Sequence, residues 1–140
     1  MSEAGVRGIV LAHGSMAAGM VDAVRQIAGL EEDVLIPLSN KGLSPEAIGQ
    51  LVRSHVSGPT ILFTDLQSGS CGFAARRYCL DLKELVIISG VSLPALLEFV
   101  MNRQLPMQEL AEKIVDRSRK SIISSPGNVA VDEHRAVSGR

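Results

Sequence analysis

His13 is the residue in this sequence best placed to do chemistry. It ends an apolar run in the stretch RGIVLAHGS (7–15) and is followed at once by Gly14 and Ser15. A histidine at the carboxyl end of a first strand points into the crevice where open α/β sheets put their ligands. A neutral imidazole attacks with one nitrogen while the other is held as N–H by an acceptor. A carboxylate suits that task because it also steadies the positive charge that develops on the ring. Asp65, directly after the β-branched run TILFT (60–64), supplies one. The third piece is Ser68-Gly69-Ser70. Gly69 lets the backbone approach an anion, a helix start offers free N–H groups and a positive dipole end, and the Ser70 hydroxyl adds a donor. Together these residues suit phosphoryl transfer: His13 as nucleophile, Asp65 as its orienter, and Ser68, Gly69 and Ser70 around the phosphate.

The remaining chemical residues read more plainly. His55 falls on the apolar face of a helix near its end, as a boundary core histidine does. His134 lies in a polar tail and reads as solvated. Arg76-Arg77 is a solvated helix face, or a contact for an acidic partner protein near the phosphate end. Cys71 and Cys79 share one expected helix, where eight residues of rise separate them by roughly 12 Å, too far for a disulfide. Their spacing matches no common zinc motif, so no metal is expected, and free thiols agree with a reducing compartment.

Alternating elements must position these groups. Val6–Ala12 is apolar on both faces apart from Arg7, as a central parallel strand should be. Met16–Ala28 follows as a helix with Gly29 as its stop. Asp33–Leu38 is a shorter strand with a proline near its end. Ser44-Pro45-Glu46 opens a second helix with a capping serine, a first-turn proline and an acid. Gly58-Pro59 ends it. Thr60–Thr64 is the third strand, and the Asp65–Gly72 turn opens a helix through about Leu80. Leu85–Ser89 is a fourth strand, Ser92–Met101 an apolar helix, and Pro106 begins the last helix. Ser121–Ser124 is a short β-prone piece, and after Pro126-Gly127 the tail is expected to be an extended arm or disordered.

Strands alternating with helices imply a parallel sheet wound by right-handed crossovers. The expected fold is α/β: a small doubly wound, mainly parallel four-stranded sheet of order 2-1-3-4 with helices on both faces. That order makes strands one and three neighbours, with the topological switch between them. Residues 1–124 form one domain and 125–140 a C-terminal arm or tail, with no internal repeat.

Composition narrows the function classes. The 140 residues are 46% hydrophobic and 21% charged, ordinary for a globular domain with a real core. With 14 basic and 15 acidic residues the net charge is −1, which favours neither nucleic acid nor an anionic membrane as partner. There is no Trp, one Tyr and three Phe, so the core is aliphatic and stacking platforms for bases or sugars are scarce. No signal-peptide pattern or run of about 18 apolar residues occurs, and a soluble, cytoplasmic protein is expected.

Three blocks, GIVLAHGS (8–15), LFTDLQSGSCGFAA (62–75) and ISGVSLPALLE (88–98), resemble in order and spacing the IIA component of the mannose family of the sugar phosphotransferase system. The resemblance spans roughly residues 5–124. It implies that His13 accepts a phosphoryl group on Nε2 from the histidine-containing phosphocarrier protein and passes it to a IIB component for sugar uptake. It implies Asp65 as the orienting aspartate, and a D-x-x-G-G-S-P-x-N loop represented by Asp65, Gly69 and Ser70. It further implies a homodimer whose C-terminal strand, here Ser121–Ser124, crosses to the other subunit's sheet, with no cofactor. The sequence departs from the family pattern at Ser68 (glycine), Cys71 (proline), Phe73 (asparagine), Ser92 (asparagine) and Ala95 (methionine). No fused IIB domain is evident, so a free-standing IIA protein is expected. A similar IIA-like domain occurs in the multi-phosphoryl subunit of dihydroxyacetone kinase, and AHGS also resembles the start of small tetrapyrrole chelatases. A regulatory module phosphorylated on His13 but not tied to transport is a further alternative.

Overall fold

The computed structural model describes residues 5–126. Its elements in chain order are β1 (Arg7–Ala12), α1 (Met16–Ala28), β2 (Leu35–Ser39), α2 (Pro45–His55), β3 (Thr60–Thr64), α3 (Ser70–Cys79), β4 (Leu85–Ser89), α4 (Leu93–Met101) and α5 (Met107–Lys120). All strand pairs are parallel and the sheet order is β2-β1-β3-β4. This is the doubly wound order expected from the sequence, with the switch between β1 and β3.

The pleat explains why the central strands read as unbroken apolar runs. Ile9 and Leu11 of β1 and Leu62 of β3 join a core with α2 and α3 on one face. Val10 and Ala12, with Ile61 and Phe63, join a second core with α1, α4 and α5 on the other. Buried on both faces, these strands have no room for polar alternation. Phe63 meets Phe99 edge to face, with ring centres 5.6 Å apart.

The helix starts follow the sequence signals. The Ser44 and Ser92 hydroxyls accept the amides of Ala47 and Ala95, with proline in the first turn of each helix. β2 begins two residues later than expected and ends at Ser39. Val34 is held in a turn by its N–H bond to the Glu31 carbonyl, and an edge strand tolerates Pro37. α3 starts at Ser70, so the turn before it is shorter than the sequence suggested.

Ser121–Ser124 is not a strand in the single chain. It leaves α5 as irregular backbone, with Ile122 and Ile123 86% and 66% exposed. β4 therefore has an open outer edge among the described residues. A groove of about 700 Å³ runs past it, bordered by Asp65, Ile88, Val115 and Ile122. The expected arm and His134 lie outside the described residues. Among the described residues no helix is long and apolar enough to cross a membrane.

Candidate functional site

The site forms where the carboxyl ends of β1 and β3 meet, because the chain must leave both strands at that edge. Past Ala12, the chain turns through Gly14 at φ 58°, a left-handed conformation that glycine adopts without strain. Met16 N–H closes this turn on the His13 carbonyl at 3.2 Å. The turn leaves the His13 side chain 48% exposed at the sheet edge.

Asp65, one residue beyond β3, meets it with a side chain only 7% exposed. Its Oδ2 lies 2.5 Å from His13 Nδ1 and also accepts the His13 backbone N–H at 3.0 Å. Its Oδ1 accepts the Leu66 N–H at 2.8 Å. Burial alone would raise the Asp65 carboxyl. The bonds from the His13 ring, the His13 amide and the Leu66 amide, with the ring's charge, outweigh it and hold the carboxyl below its ordinary value. An ionised Asp65 fixes Nδ1 as the protonated nitrogen, which leaves the lone pair of a neutral ring on Nε2.

Nε2 faces α3, with the Ser70 hydroxyl 3.1 Å away. Phe73 is the first residue of α3 whose N–H pairs back, to the Gly69 carbonyl at 2.9 Å. The amides of Ser70, Cys71 and Gly72 therefore have no partner within the helix, and they begin it beside Nε2, an arrangement suited to an anion. Gly69 packs close to the ring: a Cβ there would stand 3.4 Å from His13 Cε1. Ser68, grouped with these residues in the sequence, is exposed one position ahead of the Gly69 cap, and its side chain makes no hydrogen bond among the described residues.

Two contributors, Asn40 and Gly72, were not singled out in the sequence, and Arg76 has a role different from the one read there. Asn40, just past β2, donates its amide to Ser70 Oγ at 3.3 Å and accepts the Gly14 N–H at 3.3 Å. Its only sequence signal is a polar residue at a strand's carboxyl end. Gly72 is needed for close approach: a Cβ would meet the Leu66 and Gln67 carbonyl oxygens at 2.5 Å. Arg76 donates to the Gln67 carbonyl at 2.7 Å and so straps the same loop, while Arg77 stacks over the Tyr78 ring. His55 is half-buried at the end of α2, with its Nδ1 2.9 Å from the Leu51 carbonyl, away from this edge of the sheet.

Cys71 completes a cluster with His13 and Asp65 whose ligand atoms lie within 4.8 Å of one another. Two donors of a tetrahedral zinc stand roughly 3.3 Å apart, given bonds of about 2.0 Å. The 2.5 Å between Nδ1 and Asp65 fits a shared proton instead. Burial and the Asp65 charge push the Cys71 thiol up to about 11, so near neutrality it is protonated and not a nucleophile.

Comparison with known proteins shows the family and agrees with the fold. Residues 8–116 match the EIIA-man family, described as PTS system fructose IIA component. A sorbose-specific EIIA component from Klebsiella pneumoniae is 32% identical over 101 residues, 70% of this chain and 75% of that protein. The crystal structure of phosphotransferase system component EIIA from Streptococcus agalactiae superposes with TM-score 0.78 at 21% identity, covering 85% of this chain and 96% of that one. The PTS IIA protein associated with the fucose utilization operon of Streptococcus pneumoniae gives 0.75 at 22% identity, over 86% and 93%.

Proposed function

This chain belongs to the mannose-type EIIA family of the sugar phosphotransferase system, and from that membership we propose that His13 is its phosphorylated residue. In this reading His13 accepts a phosphoryl group from the histidine-containing phosphocarrier protein and hands it to a IIB component in the cytoplasm. One observation carries the assignment: Nδ1 is tied to a carboxylate held below its ordinary value, while Nε2 faces a serine at a helix N-terminus.

The transfer is in-line. The Nε2 lone pair forms the new N–P bond as the donor's N–P bond breaks and returns its electron pair to the donor ring. Positive charge then grows on the His13 ring, and Asp65 stabilises it through Nδ1–H. Ser70 and the free amides of α3 receive the phosphoryl oxygens. Such chemistry depends on positioning and electrostatics, which preformed donors supply without rearranging. Passing the group on reverses the same steps.

A homodimer belongs to the same proposal. The open edge of β4 and the exposed Ile122 and Ile123 beside it leave room for a strand from a second copy. The sugars named for the relatives differ, and sugar choice is assigned to the membrane component.

The test is labelling with phosphoenolpyruvate, the system's kinase and the phosphocarrier. The expected result is one acid-labile phosphate per chain, lost in His13→Ala. An unlabelled wild type beside a competent donor would overturn the reading. Labelling without onward transfer to any cognate IIB would favour the regulatory alternative.

A further inference from the structure

Asn40 connects the two halves of the site. Its backbone N–H pairs with the Ala12 carbonyl at 3.2 Å, and its carbonyl accepts the Leu43 amide at 3.1 Å. The residue is thus fixed at the end of β2, directly beside the His13 turn. Its side-chain oxygen takes the Gly14 N–H, which can only donate. That settles which way the amide faces: oxygen toward Gly14, nitrogen toward Ser70.

The consequence for Ser70 is directional. With Asn40 Nδ2 donating to Oγ, one oxygen lone pair is occupied, and the hydroxyl's single hydrogen is directed to Nε2. Nε2 can accept it because Asp65 holds the ring proton on Nδ1. The bonds form a closed circuit from Asp65 through His13, Ser70 and Asn40 to Gly14, the residue next to His13, and each donor in it has one acceptor.

We propose that Asn40 is a positioning residue for phosphoryl transfer: it keeps the Ser70 hydroxyl a donor toward Nε2 and, once Nε2 carries phosphorus, toward a phosphoryl oxygen. This rests on the phosphocarrier reading for its role in transfer, but the hydrogen-bond geometry stands apart from it. Without the Asn40 donor, Ser70 is free to rotate and spends part of its time turned away from the site. The loss of one orienting hydrogen bond predicts a transfer rate lower by about three- to tenfold in Asn40→Ala.

Asn40→Asp separates this role from simple support of the turn. The aspartate still accepts the Gly14 N–H, so a turn-supporting role predicts an unchanged bond from Ser70 to Nε2, whereas its charge repels the incoming phosphoryl group in either role. The positioning role predicts that this bond is lost, because the new carboxylate takes the Ser70 hydrogen for itself.

The experiment uses the full chain in two arms. In the first, the ¹⁵N resonance of His13 Nε2 is recorded without any phosphoryl donor, for wild type, Ser70→Ala, Asn40→Ala and Asn40→Asp. Asn40→Asp should move Nε2 in the direction of Ser70→Ala, toward a nitrogen with no donor, and Asn40→Ala less far. A wild-type Nε2 position in Asn40→Asp, with Ser70→Ala displaced, would overturn the proposal. In the second arm, labelling rates are measured for the same variants and for Asn40→Ala with Ser70→Ala. Asn40→Ala should slow wild type but add nothing to Ser70→Ala, because it acts through that hydroxyl. Equal effects in both backgrounds would refute the coupling. Should the wild type take no label, the phosphocarrier reading falls while the resonance arm still judges Asn40.

Discussion

Replacing Asp65 by asparagine tests the core of the mechanism with little change in shape. The carboxylate accepts three hydrogen bonds: two at Oδ2, from the His13 ring and the His13 amide, and one at Oδ1, from the Leu66 amide. An asparagine has one oxygen and one NH₂ for these three donors. With its oxygen toward His13, the NH₂ opposes the Leu66 N–H. In the reverse orientation it opposes the His13 amide and forces the ring proton onto Nε2, removing the nucleophile. Loss of a charge-assisted bond to the developing imidazolium is worth about 1.5–3 kcal/mol. At 1.36 kcal/mol per tenfold, that is roughly a 10- to 160-fold slower transfer. The tautomer change would deepen the loss toward the roughly 10⁴-fold seen when the same exchange is made in serine hydrolase triads. The assay is a quenched time course of label transfer from the phosphocarrier, with circular dichroism to verify folding. A folded Asp65→Asn variant with a wild-type rate constant would refute the assigned role. Stability supplies a second reading. Asp65 titrates in the fold below its ordinary 3.8, so its contribution is fully present above pH 4 and is lost as pH falls through the lower folded value. The difference in unfolding free energy between wild type and variant should shrink as pH falls below 4. A difference that grows below pH 4 would contradict the sign.

Two further predictions follow from packing. Gly72→Ala places a methyl 2.5 Å from two backbone oxygens of the loop after Asp65, so it should cost about 1–3 kcal/mol in thermal unfolding and slow labelling as the loop shifts. Sedimentation of the full chain at micromolar concentration should give a dimer, which Ile123→Asp weakens; a monomeric wild type would remove the exchanged strand.

Much of the fold was legible because its signals are local. Ser44-Pro45 and Ser92 start helices by chemistry contained within one turn. The double-sided apolar runs of β1 and β3 mark central strands wherever the chain later takes them. The order of elements, with right-handed crossovers, leaves few topologies, and the observed order β2-β1-β3-β4 is the expected one that puts His13 and Asp65 on adjacent strand ends. The blocks around both residues resembled one family, and its match over residues 8–116 agrees. The start of β2 was misplaced because the turn at Val34 depends on a carbonyl bond that no residue type announces.

The sequence by itself determined the strand ends that carry His13 and Asp65, the groups proposed to react. It could not determine how those groups are paired. Ser68 and Ser70 are equivalent by type and both sit beside Gly69, yet only Ser70 reaches Nε2, since the helix begins there and turns its hydroxyl inward. Asn40, 27 positions from His13 along the chain, is an ordinary polar residue until β2 pairs with β1 and sets its amide between Gly14 and Ser70. Hydrogen bonds reach about 3 Å and fix direction as well as contact. The proton on Nδ1, the lone pair on Nε2 and the donor facing it therefore became definite only when three strand ends were packed side by side.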